Sequence, residues 1–387
     1  MISVKPAQLD EIQEVVARVQ ADPRPEKIDL GIGIYRTPTG GAHLFEAVAT
    51  AREQIASLRA PTPYLSQSGD KAFIATVSEF VFNDPLPGWA AVQTVGGTGA
   101  VRLAMEFAAE INPQVKVHVG TPTWANHLAI PEQLRIPVAK HAYFDVNEQK
   151  TDSKAIAHSL NNLAPGDVFV MHGSCHNPSG GDLSLDERLA IIDEVNRANS
   201  ILLVDAAYFG LGDGIDQDLE LLRSILNHAD NAFLCLACSK AFGLYGERVG
   251  ALFTKIKGQS TPDSMQAALN NLMRRLVSSA PRHGAEIVTT ILSDPQLKSL
   301  WLKELNAANR ALIQQRQGLA ESIDFWPSNR LTEQKGIFAL LPLPREQIQT
   351  LDKEFAIHMP YSGRINLTGI KPSEIDKFAN ALRSVWG

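Results

Sequence analysis

The chain has 387 residues, enough for a large core divided over two or three units of about 150 residues each. Its 44% hydrophobic and 20% charged residues are those of an ordinary globular protein and exclude a disordered or low-complexity chain. With 36 basic against 42 acidic residues the net charge is −6, which offers no basic field for nucleic acid.

In chain order, Met1–Asp10 lacks the basic and apolar regions of a secretory signal. No later run approaches the ~18 apolar residues of a membrane span, so a cytoplasmic protein without membrane contact is expected. Val16–Arg24 reads as the end of an amphipathic helix stopped by Pro23 and Pro25, before a short apolar segment at Ile28–Ile34. From about Phe45 helical stretches alternate with apolar strands at Ala91–Val95, Val115–Val119, Val168–His172, Ile201–Asp205, Phe233–Ala237 and Val249–Thr254. Such alternation predicts an α/β fold, a mostly parallel sheet covered by helices on both faces, with ligands gathering at the carboxyl ends of the strands. Leu297–Glu321 reads as one long helix, followed by short strands around Gly336–Leu341 and Arg364–Leu367 and a closing helix from Pro372. A smaller α+β unit is therefore expected from residues 1–42 and 308–387, beside a large unit at 43–307, because the N-terminal segment cannot bury its apolar face alone.

Cys175, Cys235 and Cys238 are too few for a disulfide framework. Cys235 and Cys238 match C-x-x-C, but residues three apart in a strand point to opposite faces, so they read as buried small hydrophobes. His172 and His176 have metal-like spacing, yet they flank a predicted loop and lack a second ligand pair, so no metal is expected.

Four strand ends carry chemistry. Gly96-Gly-Thr-Gly-Ala100 precedes the apolar helix Val101–Ala109, so free backbone N–H groups, the positive helix end and the Thr98 hydroxyl could converge on a phosphate; a structural tight turn is the other reading. The loop matches neither common nucleotide fingerprint. His172-Gly-Ser-Cys-His-Asn177-Pro-Ser-Gly-Gly181 follows a second strand. Asp205 ends an apolar strand, where a carboxylate must reach solvent, pair with a cation such as a pyridinium nitrogen, or cap the following helix. Phe233–Gly250 delivers Lys240 from a strand into a glycine-bearing loop that also holds Arg248; a lysine so placed can be a Schiff-base lysine, and a solvated surface lysine is the other reading. In this order they are the parts of a pyridoxal-phosphate enzyme.

Taken with Thr121-Pro-Thr-Trp-Ala-Asn-His127, Asp205-Ala-Ala-Tyr208 and Ser362-Gly-Arg-Ile-Asn366, these segments resemble the aspartate/aromatic amino acid aminotransferase family, with similar spacing from Leu30 to Arg364. The resemblance implies a fold type I enzyme that uses pyridoxal 5'-phosphate. It moves amino groups between aspartate, glutamate or aromatic amino acids and 2-oxo acids by a ping-pong mechanism in a homodimer. Lys240 would hold the cofactor as an imine and, once released by substrate, move the α-proton. Asp205 would pair with the ring nitrogen, Asn177 and Tyr208 would bond the ring oxygen, and Trp124 would stack on the ring. Gly97, Thr98, Ser239 and Arg248 would hold the phosphate, joined by Tyr64 of the neighbouring subunit. Arg364 would bind the α-carboxylate, with Gly33, Trp124 and Asn177 nearby, and Arg274 the distal carboxylate across the interface, as planar guanidinium forks do.

Ala237 stands where many members have a serine that contacts the phosphate, Ser279 where aspartate-specialised members often carry asparagine, and Ala206 in place of a bulkier residue. These changes put strict aspartate specificity in doubt. A pyridoxal-phosphate lyase or decarboxylase on the same fold, and a non-catalytic amino-acid sensor, are the alternatives. A sensor has no need of the Lys240, Asp205 and Tyr208 set.

Overall fold

The computed structural model describes residues 11–37, 39–84, 88–258 and 261–386; the expectations about Met1–Asp10 lie outside the described residues. Seven strands form the central sheet: β1 (Ala90–Val95), β2 (Val117–Thr121), β3 (Val138–Ala142), β4 (Val168–His172), β5 (Ile201–Ala206), β6 (Ala232–Ala237) and β7 (Val249–Lys255). Their order is β1-β7-β6-β5-β4-β2-β3. Only β7 runs antiparallel to its neighbours, and the other pairs are parallel. A parallel sheet buried on both faces needs nearly continuous apolar strands, and every residue of β4, β5 and β6 is buried.

Alternate residues of one strand feed two different cores. Leu202 and Val204 of β5 join the cluster on one face, and Ile201 and Leu203 join the cluster on the other. Cys235 and Cys238 divide in the same way between the two clusters, and all three cysteines are free and buried.

A third cluster unites Ile28 and Leu30 with Leu319, Ile348, Ile357, Phe378 and Leu382. Ile28–Asp29 pairs in parallel with Ile357–His358, and Phe338–Leu340 pairs antiparallel with Arg364–Asn366. The helix Pro295–Ser322 links the two regions: Trp301, Leu305 and Leu312 pack in the first cluster and Leu319 in the third. Asp294 caps that helix by accepting the N–H groups of Gln296 and Leu297.

The first helix, Glu11–Ala21, ends three residues before the expected Arg24. There the Asp22 carboxylate accepts the Arg24 N–H at 2.9 Å and its guanidinium at 2.6 Å, which turns the chain aside before Pro25. The apolar segment at Ile28–Ile34 supplies only a two-residue strand.

Register brings the chemistry to one edge. His172 lies opposite Asp205, Asp205 opposite Cys235, Gly250 opposite Ala237 and Val249 opposite Val95. The carboxyl ends of β1, β4, β5 and β6 therefore meet. Among the described residues no helix is long and apolar enough to cross a membrane.

Candidate active site

These strand ends line one cavity. Gly97, Thr98, Trp124, Asn177, Asp205, Tyr208, Ser239, Lys240 and Arg248 all line it. They come from segments up to 151 residues apart in the chain (97 to 248), so the fold, not local sequence, makes the site.

The glycines after β1 are the first turn of the helix Gly96–Ile111 rather than a loop ahead of Val101. Gly96 has a φ of +68°, and a Cβ on it would fall 2.5 Å from Arg248 Nη2. A Cβ on Gly97 would fall 2.8 Å from the Ala237 Cβ. Only glycine lets the amino end of this helix, its free N–H groups and the Arg248 guanidinium close on one small volume, which is the composition of an anion cradle. Arg248 is steadied by donating from Nη1 to the Tyr245 carbonyl at 3.0 Å.

Lys240 follows β6 by three residues, and its Nζ lies 4.8 Å from the centroid of the Tyr208 ring. Enclosure by the cavity walls lowers the amine to about 8; the Asp205 charge opposes the shift and Arg248 reinforces it. Asp205 itself is 5% exposed. Burial pushes its carboxyl up, but the hydrogen bond and charge of His127, with the neighbouring Lys240, outweigh burial and hold it below the ordinary value. His127 Nε2 meets Asp205 Oδ2 at 3.0 Å, and its Nδ1 meets the Thr123 hydroxyl at 2.8 Å, which fixes the ring with Nε2 as the donor. Asp205 caps no helix, since the next one starts at Ile215 after Gly214.

Asn177 donates to the Tyr208 hydroxyl at 3.5 Å, and burial raises the Tyr208 phenol, so it stays protonated. Ring Trp124 stands edge-on to His127 at 5.3 Å. His172 also lines the cavity, 5.0 Å from the His127 ring, with its Nε2 buried and unpartnered. Burial, then the neighbouring His176 and His127, hold it well below the ordinary histidine value and keep it neutral.

Arg364 and Gly33 stand beside the cavity rather than in its wall. The Arg364 guanidinium lies 4.5 Å over the Phe338 ring, donates from Nη2 to the Gly31 carbonyl, and leaves Nε buried without a partner. A Cβ on Gly33 would come within 2.7 Å of Phe338 Cζ, so glycine allows this segment to press on that ring. Phe338 in turn meets Tyr208 at 5.9 Å and so joins Arg364 to the cavity.

Tyr64 and Arg274 do not join the others in this protomer. Tyr64 is 96% exposed, and Arg274 is exposed in the last turn of the helix Pro262–Leu276, next to Arg275, which pairs with Glu110. Ser279 accepts the Leu65 N–H at 3.0 Å and donates to the Leu65 carbonyl at 3.1 Å, holding the segment that presents Tyr64.

Sequence reasoning assigned no role to His127 or His172. They lie in the segments Thr121–His127 and His172–Gly181, but His127 meets Asp205 across 78 residues, a pairing that no local spacing announces.

A family model described as "Aminotransferase class I and II" matches residues 25–382. The chain is similar to an aromatic-amino-acid aminotransferase of Paracoccus denitrificans, at 34% identity over 99% of both chains. It is also similar to an aspartate aminotransferase of Pseudomonas aeruginosa, at 30% identity over 99% of this chain and 98% of that one. The crystal structure of an aromatic-amino-acid aminotransferase from Burkholderia pseudomallei, covalently bound to pyridoxal phosphate, superposes with a TM-score of 0.94. It is 30% identical, covering 100% of this chain and 99% of that chain.

Proposed function

Because the chain belongs to the class I and II aminotransferases and is a pyridoxal-phosphate-dependent transaminase, we propose that the cavity at the carboxyl edge of the sheet is where it binds cofactor and amino acid. When bound, the cofactor supplies an aldehyde that condenses with amines and a ring that draws electrons from the adjoining carbon. The residues fit that group: an anion cradle that a Cβ would fill lies at one end of the cavity, and an ionised carboxylate lies in its wall.

The observation that carries this reading is Lys240, an enclosed amine lowered to about 8 in the same cavity as Asp205. Roughly a tenth of such an amine is neutral at pH ~7, against less than about one part in a thousand for an ordinary lysine, and once freed it can serve next as the base that moves a carbon-bound proton. Asp205 holds its negative charge toward the ring nitrogen while His127 orients it. Gly97, Thr98, Ser239 and Arg248 bind the phosphate. Trp124 stacks on the ring, and Asn177 and Tyr208 donate to its oxygen.

Arg364 binds the α-carboxylate. It makes no ion pair among the described residues, and the unpartnered Nε leaves donors for a two-pronged carboxylate contact. Gly33 lets its segment approach the same place. Arg274 and Tyr64 serve the neighbouring subunit of a cytoplasmic homodimer, the first on a distal carboxylate and the second on the phosphate; their exposure here supports a role outside their own protomer. The large unit at 43–307 would carry the cofactor, and the smaller unit of 1–42 and 308–387 would bring Arg364 to it. Substrates in this reading are dicarboxylic and aromatic amino acids with their 2-oxo acids.

Half-reactions test it. Purified holoenzyme given aspartate or phenylalanine alone should pass from the lysine-bound to the amine form of the cofactor and release the matching 2-oxo acid. Release of ammonia, or no spectral change, would sink the proposal. For the shared site, Lys240→Ala subunits mixed with Arg274→Ala subunits should regain activity toward dicarboxylates, since one site per hybrid is whole. No recovery despite demonstrated exchange would place the site within one chain.

A further inference from the structure

Arg188 is among the largest fully buried side chains, 1% exposed, and has no part in the chemistry described so far. It lies four residues into the helix Leu185–Arg197, near the positive end of that helix, where a cation is disfavoured. Its ion-pair partner is Asp182 at 3.8 Å, and its Nη2 makes no hydrogen bond. A buried cation so loosely paired is a poor device for stability.

Its remaining bonds have a different logic. Nη1 donates to the His172 carbonyl at 2.7 Å and Nε to the Leu183 carbonyl at 2.9 Å. These two carbonyls bracket residues 173–182, the segment that presents Asn177 to the cavity. Asp182 works on the same segment from inside, accepting the Cys175 N–H at 2.7 Å and the His176 N–H at 2.9 Å. Cys175 has a φ of +57°, a strained conformation for a residue with a side chain, and the bond to Asp182 holds it there. The turn is closed further by Ser179, which meets His176 Nδ1 at 2.7 Å, and by Tyr143, whose hydroxyl donates to the Gly181 carbonyl at 3.0 Å.

We propose that Arg188 is a positioning residue for transamination: by fastening both ends of segment 173–182 it fixes Asn177 against Tyr208 and His172 against the His127–Asp205 pair. The inference rests on the cofactor-site reading above. Behind burial and the neighbouring histidines, the Arg188 charge also helps to keep His172 and His176 neutral, so that neither competes with His127 for the Asp205 carboxylate.

The test compares wild-type holoenzyme with Arg188→Leu, Arg188→Lys and Asp182→Asn, titrating the absorbance of the lysine-bound cofactor against pH and measuring kcat and KM. If Asn177 is released, the hydrogen bond that favours the ionised ring oxygen weakens. The spectral transition should then move to higher pH by about 0.5–1 unit. kcat should fall roughly ten-fold with KM changed by less than about three-fold. Should Arg188→Leu fail to fold, Arg188→Lys decides, because a single ammonium cannot reproduce the planar fork that reaches both carbonyls. Variants that fold and lose only melting temperature, with an unshifted spectral transition and normal kcat, would overturn the inference. A wild-type protein lacking the lysine-bound absorbance would instead sink the reading of the site, so the two failures are distinguishable.

Discussion

The carboxyl edge of the sheet and the surface around Tyr64 and Arg274 are built on opposite plans. At the edge, nearly every polar group is enclosed and oriented by another: Thr123 holds His127, His127 holds Asp205, and Tyr245 holds Arg248. At the surface, Tyr64 is 96% exposed, Leu58 72% and Val277 37%, with Arg274 exposed among them. A large tyrosine that contributes so little burial does nothing for its own fold. On the proposal made above, one chain carries the bond-making chemistry complete, whereas substrate charge recognition is finished only by a second copy.

Lys240→Ala gives the largest expected effect. It should bring turnover of every substrate to the background rate while the purified protein keeps its melting temperature, because the substitution removes the amine and leaves the surrounding core untouched. Activity near the wild-type rate would mean that the enclosed edge does not hold the chemistry.

Arg274→Leu probes the other region. An arginine removed from a buried carboxylate costs roughly 3–5 kcal/mol, or two to three decades or more in kcat/KM. That loss should fall on aspartate and glutamate, with phenylalanine affected far less. Arg364→Leu should damage all of them, since every substrate carries an α-carboxylate. Equal losses for both classes in Arg274→Leu would remove it as the distal-carboxylate residue.

A pH profile sharpens the contrast from inside the cavity. Lys240 is lowered to about 8, and only the neutral amine attacks an aldehyde. In cofactor-free protein, the rate constant for attaching pyridoxal phosphate should therefore rise with pH and level off above about 8, being roughly ten-fold below its plateau at about pH 7. A rate still rising steeply through pH ~10 would show an amine in ordinary water.

The same division governs what the sequence reveals. Runs that are mainly apolar, although Gln93 and Thr94 interrupt β1 and Lys116 and His118 interrupt the run read for β2, made β4 legible to the residue and the other buried strands legible to within two residues. The edge strand Val138–Ala142 was missed because it is half-exposed and its Lys140 and His141 break any apolar run. Lys240, Asp205 and Arg248 could be found because each is a charged residue at the end of an apolar strand. His127 and His172 could not: His172 faces Asp205 through register between strands, and His127, on the helix Asn126–Gln133, reaches Asp205 across 78 residues through the tertiary fold.

Ser279 is where the two regions touch, and its replacement should have the smallest effect. Its two bonds to Leu65 hold the Tyr64 segment from one side. From the other, Gln93 of β1 accepts the Asp70 N–H at 2.9 Å and donates to the Pro281 carbonyl at 2.7 Å, two residues beyond Ser279. The strand that ends in the anion cradle is thus tied to the exposed surface by a short chain of hydrogen bonds. Ser279→Ala removes one end of that chain, at about 0.5–1.5 kcal/mol per neutral bond. If Tyr64 reaches the neighbouring phosphate, its displacement should weaken pyridoxal-phosphate binding to the apoenzyme by roughly three- to ten-fold. The lysine-bound absorbance and its pH dependence should stay as in wild type, because no residue of the enclosed edge has moved. Unchanged cofactor affinity would show that the Tyr64 segment holds its place without Ser279, and a shifted pH dependence would show that the two regions are coupled more tightly than their contacts imply.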